Sequence, residues 1–286
     1  MGTIISFMNN KGGVGKTAST EIIAELLVAL DKNVLIVDLD AQSNASLITN
    51  RYGKPESSIR TIFSEKLKTY EDVRACIQQT DIEGLDIIAS CLEHADTQTM
   101  LNCEKSININ IILKRALDTI RNDYDYIIID NAPANDSLAV NSIIASDYVF
   151  IPAKDERLSY EGAKTTLATI LTVKEEFMVD SVKFGGVFLN DIDLRTNIHK
   201  EWVETYKNEF QDSYLNSSIR KSIRVKEMES NFIPVMYLKN NLEILIDYSC
   251  LLLEMNILNQ HDKRTLETML EQMKEASEKK KLESGN

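Results

Sequence analysis

The chain has 286 residues, 43% hydrophobic and 27% charged, a composition ordinary for a soluble protein with room for one sizeable core. Its formal net charge of -12 excludes a chain that coats nucleic acid over its whole surface, though not a local basic patch. No apolar run reaches membrane-spanning length, no signal peptide precedes the first strand-like run, and the four cysteines and three histidines lack metal-site spacing, so a cytoplasmic protein without a protein-built metal centre is expected.

The first five-residue run, Thr3-Ile4-Ile5-Ser6-Phe7, is rich in β-formers and predicts a strand. Asn9-Asn10-Lys11-Gly12-Gly13-Val14-Gly15-Lys16-Thr17 follows, and from Ala18 to Leu30 the apolar residues Ile22, Ile23, Leu26, Leu27 and Leu30 recur at helical spacing. Strand, glycine-rich loop and helix together make a phosphate cradle. Backbone N–H groups converge on an anion with the helix dipole behind them, and a Cβ at the glycines would block the approach. Lys16 then reaches the β- and γ-phosphates and the Thr17 hydroxyl ligates Mg²⁺. The first glycine of the general G-x-x-x-x-G-K-[ST] pattern is Asn10 here, and a second lysine, Lys11, opens the loop.

Val34-Leu35-Ile36-Val37 reads as a buried parallel strand running into Asp38-Leu39-Asp40-Ala41-Gln42-Ser43-Asn44, where ligands of open α/β sheets bind. Residues 56 to 123 read as mixed helix with one strand, Leu85 to Ala89, and helical spacing through Ile107, Ile111, Ile112, Arg115, Leu117 and Ile120. Tyr124 to Asp130 predicts a second buried strand ending in an aspartate, the Walker B pattern. Further strands are expected at Tyr148 to Ile151, Val182 to Leu189 and Pro234 to Leu238. Helices are expected near Ser137 to Ser146, Ser159 to Phe177, Thr196 to Phe210 and Leu242 to Leu258. The alternation implies a doubly wound α/β fold, a mostly parallel sheet flanked by helices, of the P-loop NTPase kind. Residues 1 to 258 form the expected ATPase domain. Residues 259 to 286 form a charged tail with one apolar stripe, Leu266, Met269, Leu270 and Met273, that fits an amphipathic helix ending at Lys279-Lys280-Lys281.

A phosphate loop with aspartates at neighbouring strand ends is the equipment of an ATPase, since phosphoryl transfer needs positioned water, metal and charge neutralisation. Asp40 is the candidate for orienting or deprotonating the attacking water and lies near the metal. Asp130 is assigned to Mg²⁺, together with Thr17, and Asp38 to supporting the cluster.

The loop K-G-G-x-G-K-T resembles the deviant Walker A motif of the ParA/MinD superfamily, and the rest of the chain resembles the ParA-type partition ATPases. Asp38 to Asn44 is similar to their D-x-D-P-Q-G-N segment, with Ala41 and Ser43 in place of proline and glycine. Tyr124 to Asp130 is similar to Y-D-x-I-I-I-D, continued here as Asn131-Ala132-Pro133, and Glu156 with Glu161-Gly162 resembles E-Y-x-x-L-E-G. Asp193 to Asn197 resembles D-x-R-T-N, and Ile219 to Lys226 resembles I-P-R-N-V-R-L-S with Ile219 in place of proline. The resemblance implies that Lys11, Gly12, Gly13, Val14, Gly15, Lys16, Thr17 and Ala18 hold ATP, with Asn190 and Ile219 near the adenine. Catalysis falls to Lys11, Lys16 and Asp40, Lys11 crossing the interface of an ATP-bound homodimer. It implies sequence-independent DNA binding, through Arg195, Arg220, Lys221, Arg224 and Lys226 in a chain without an N-terminal DNA-binding extension. It also implies association with the nucleoid and a ParB-like centromere-binding partner that stimulates hydrolysis.

An alternative within the superfamily is a MinD-like membrane-associated regulator, which needs a basic amphipathic C-terminal helix with apolar anchors. The tail alternates glutamate with lysine and has no aromatic residue, so no membrane contact is expected. A nitrogenase iron-protein reading requires cluster cysteines after the Walker B strand, whereas Cys91 and Cys103 precede it. A non-catalytic module gated by nucleotide is disfavoured by Lys11 together with Asp40.

Overall fold

The computed structural model describes residues 1–49, 58–64, 69–90, 109–133 and 136–284. The expectations at Cys91, His94, Cys103 and Ile107 lie outside the described residues. Among those residues, seven strands form one sheet: β1 (Thr3–Phe7), β2 (Val34–Asp38), β3 (Ile77–Gln79), β4 (Leu85–Ile88), β5 (Tyr126–Asp130), β6 (Tyr148–Ala153) and β7 (Lys183–Leu189), in the order β3-β4-β2-β5-β1-β6-β7. All neighbours are parallel except the short edge strand β3, which runs antiparallel to β4. The continuous apolar runs are explained by burial on both faces. Side chains alternate, so that Ile5, Phe7, Ile36 and Ile128 enter one core while Ile4, Leu35, Ile127 and Ile129 enter the other.

The helices are α1 (Lys16–Val28), α2 (Asn44–Thr49), α3 (Ile59–Ser64), α4 (Tyr70–Arg74), α5 (Ile112–Ile120), α6 (Ser137–Ala145), α7 (Arg157–Phe177), α8 (Asn197–Phe210), α9 (Ile223–Asn231), α10 (Leu242–Glu254) and α11 (Gln260–Ser284). Local chemistry sets several starts. Asp136 accepts from Leu138 N and Ala139 N at 2.9 and 3.0 Å, Thr196 from His199 N, and Ser222 from Arg224 N. The doubly wound α/β expectation therefore holds, and α1, α10 and α11 cover one face.

One expected strand does not exist. Pro234 to Leu238 is instead a 3₁₀ turn at Val235–Tyr237, whose first N–H groups, Val235 and Met236, donate to the buried Glu25 carboxylate of α1 at 2.9 and 2.6 Å. With those donors taken and Pro234 lacking one, the run has no ladder to join. The tail is a helix packed on the body: Leu266 is fully buried in the same core as Leu251, Leu252 and Met255, and Lys32 Nζ lies 2.8 Å from Asp262 Oδ1.

Candidate active site

The phosphate loop runs from the end of β1 to the start of α1. Gly13 and Gly15 adopt φ of 70° and 88°, the left-handed conformation that turns the chain into the helix without a Cβ penalty. At Gly15 a Cβ would come within 1.9 Å of Asn190 Nδ2, which donates to Val14 O at 2.8 Å. Gly12 and Gly13 face solvent at the mouth of the loop, and Val14 is buried beneath it. Thr17 and Ala18 belong to the first turn of α1. Lys16 is largely buried, and its Nζ donates to Asn9 O at 3.2 Å and Lys11 O at 3.4 Å, so it lies within the curve of the loop. Burial pushes its pKa down, and the charges of Asp130 and Asp40 pull it back up.

The carboxylates arrive through strand register. Phe7 and Asp38 both pair with Asp130, so the loop and the ends of β2 and β5 converge. Asp38 accepts from Ser46 Oγ at 2.6 Å, Ser46 N at 2.9 Å and Asp40 N at 3.0 Å, and burial raises its pKa to about 6 against those bonds. Asp130 accepts from the Thr17 hydroxyl at 2.7 Å through Oδ2. Its pKa stands well above the ordinary carboxylate range, first through burial and then through Asp38. Asp40 is partly exposed and accepts from Gln42 N at 2.9 Å.

Magnesium fits this donor set. The Oδ1 of Asp130 is buried with no hydrogen-bond partner, beside the Thr17 hydroxyl, in a place where three aspartates and Lys16 act on one another. A cation at the unpaired oxygen relieves that buried charge.

Some positions depart from expectation. Asn190 does not line an open adenine pocket: it is buried under the loop, its amide spent on Val14 O and its Oδ1 3.5 Å from the Tyr248 hydroxyl. Ile219 is likewise buried, its N–H bonded to Leu189 O at 2.8 Å. Of the five cations expected to meet DNA, three hold carboxylates. Arg195 forks onto Asp193 at 2.9 Å, Arg220 forks onto Asp247 at 2.7 and 2.8 Å, and Arg224 pairs with Glu227. Lys221 and Lys226 are exposed.

Other contributors were not foreseen. Asn9 fixes the start of the loop, donating to Pro152 O at 2.8 Å and accepting from Lys11 N at 2.9 Å. A Cβ on Gly162 of α7 would meet Asn9 Oδ1 at 2.7 Å and Lys11 Cβ at 3.2 Å, so this glycine admits α7 against the lysine. The Glu161-Gly162 pair carried that signal. Asn131 ties the ends of β1 and β5 through Phe7 O and Ile129 O at 3.1 and 3.3 Å.

Comparison with known proteins agrees with this fold. A protein-family profile described as an AAA domain matches residues 2–184. The chain is 34% identical over 236 residues to the sporulation initiation inhibitor protein Soj of Bacillus subtilis, covering 82% of this chain and 91% of that protein. It is 28% identical to the chromosome-partitioning ATPase Soj of Treponema pallidum, covering 82% and 89%. Among solved structures, the complex of Cyanothece McdA with ATP superposes with a TM-score of 0.78 at 19% identity, covering 90% of this chain and 98% of that one.

Proposed function

The chain belongs to the ParA and Soj family of partition ATPases, and on that premise we propose that it segregates DNA by a cycle of ATP-driven dimerisation, DNA binding and hydrolytic release. The observation that carries this is the double-lysine loop set against the unpaired oxygen of Asp130. Residues Gly12 to Ala18 cradle the phosphates of ATP, Lys16 exchanges the Asn9 and Lys11 carbonyls it now donates to for phosphate oxygens, and Thr17, Asp130 and Asp40 are the residues that would hold Mg²⁺. Held there, the ion would supply positive charge against the charge developing on the phosphates. Asp40, partly exposed, orients the attacking water, with its backbone N–H anchored on Asp38. Lys11 reaches the phosphates of a second subunit, an added cation of the kind that contributes roughly 10³ to 10⁵ in rate when an arginine plays the part.

The ATP-bound dimer holds duplex DNA without sequence preference through Arg195, Arg220, Lys221, Arg224 and Lys226, and so associates with the nucleoid. A ParB-like centromere-binding partner stimulates hydrolysis. Phosphate backbone supplies the counter-charge that Asp193, Glu243 and Glu227 supply in its absence, while Asp247 keeps its fork on Arg220. Asn190 and Ile219 support the nucleotide from beneath the loop and along β7. A membrane reading finds less support, because the apolar stripe of α11 is spent on the body: Leu266 and Leu270 are buried.

The test is fluorescence anisotropy on an unrelated duplex with ATP, ADP or no nucleotide, for the wild type, Lys11→Ala and Asp40→Ala. Tight binding is expected only with ATP. It is lost in Lys11→Ala, and it persists without turnover in Asp40→Ala. A wild type that hydrolyses ATP while ignoring DNA in every nucleotide state would refute the reading.

A further inference from the structure

We propose that α11 carries Lys274 and Lys281 to the flank of Arg220, so that the tail helix supplies part of the surface that grips duplex DNA phosphates, with Glu243 occupying a phosphate's place between Lys281 and Arg220. The inference rests on the DNA-binding reading above and assigns the tail a part in it.

The tail helix turns back along α10, Lys281 reaching Glu243 near the start of that helix and the exposed Lys274 lying two turns earlier on the same face of α11. One oxygen of Glu243 lies 2.7 Å from Lys281 Nζ, the other 3.3 Å from Arg220 Nη1. The two carboxylates on Arg220 differ in kind. Asp247 is buried and accepts the guanidinium through a fork, which fixes its direction. Glu243 is 45% exposed and Lys281 67%, so their pairing contributes little and exchanges readily for another anion. Beside them opens a cleft of about 400 Å³ lined by Asp193, Arg195, Arg220, Lys221 and Glu243. Cations of the tail are thus continuous with those already assigned to DNA, in a chain whose overall charge of -12 repels it elsewhere. Phosphate of duplex DNA is the occupant that this charge selects. An anionic membrane would also need a free apolar face on α11, and Leu266, Met269 and Leu270 pack on the core instead.

Binding of duplex DNA with ATP, measured across a salt series in the full chain, tests the proposal. Lys274→Ala and Lys281→Ala are expected to weaken binding uniformly across sequences and to reduce the log-log salt slope by about 1 each. Glu243→Gln, which removes the competing anion, is expected to tighten binding severalfold, with thermal melting confirming that each variant is folded. A tail merely clamped by its ion pair predicts the reverse: unchanged slopes in the lysine variants, and unchanged or weaker binding in Glu243→Gln. That result overturns the inference while leaving the partition reading standing. A wild type that does not bind DNA with ATP overturns both. Lysine-dependent co-sedimentation with phosphatidylglycerol vesicles in place of DNA binding gives the tail to a membrane, and overturns the inference too.

Discussion

Ser43 stands at φ 55°, in the left-handed region that costs an L-residue with a side chain about 1–2 kcal/mol, at the position where the resembled segment has glycine. Its N–H donates to Asp40 O at 2.8 Å, closing the turn that carries Asp40. Ser43→Gly relieves the strain, and the looser unfolded chain takes back about 0.4–1 kcal/mol. The expected net gain is about 0.5–1 kcal/mol, read as a melting temperature higher by about 2 °C; a lower melting temperature would show that the serine hydroxyl contributes more than the backbone costs. At this scale, what was legible in the sequence was local. That Lys16, Thr17 and Asp130 meet was legible because loop and strand fix their own geometry. Asn190 could not be placed correctly, because its direction is set by Val14 O and Tyr248, 176 and 58 residues away.

At the level of elements, the strands and long helices followed from periodicity, and the failure at Pro234 to Leu238 has a single cause. An apolar run after proline fits a strand in composition, but Glu25 of α1, 210 residues from Val235, holds its N–H groups. No local pattern in the sequence announces that contact. The carboxyl has a consequence of its own. Burial raises its pKa to about 7 from 4.5, opposed by the two N–H bonds. Below pH 4.5 it is protonated folded or unfolded and contributes no pH dependence. Between 4.5 and 7 the unfolded chain releases its proton first, so stability falls, and above 7 the full cost is about 3 kcal/mol. Glu21, one turn earlier, is fully buried with its pKa pushed well up by the same desolvation, and acts with the same sign. Glu25→Gln removes one of several contributions of this sign, Asp38 and Asp130 at the strand ends supplying others. Its melting temperature, taken without nucleotide or metal, should decline less from pH 5 to pH 8 than that of the wild type. An identical decline would mean that Glu25 is not held as described.

For the molecule as a whole, the question is whether α11 is an appendage or a member of the core. Its sequence, rich in glutamate and lysine, reads as an amphipathic helix that packs through one weak stripe on the body or on a partner, and the stripe is what decides. Leu266 is fully buried among side chains of α10 that also pack on α1, the helix that begins at the phosphate loop. The second anchor, Lys32 to Asp262, joins the tail to the turn between α1 and β2, with the Asp262 carboxylate almost wholly buried. Asn259 caps the helix at His261 N and Asp262 N, which sets where it begins against that turn. A buried leucine truncated to alanine costs about 2–5 kcal/mol through lost transfer energy and the cavity left behind. Leu266→Ala should therefore lower the urea midpoint of the entire chain, in one transition seen equally by circular dichroism and by the fluorescence of Trp202 in α8. An independent tail would instead melt alone and leave the Trp202 transition where it was. In the first case the tail is positioned by the same core that positions Lys16, and binding events on α11 and at the nucleotide are then linked through one folded body rather than through a tether.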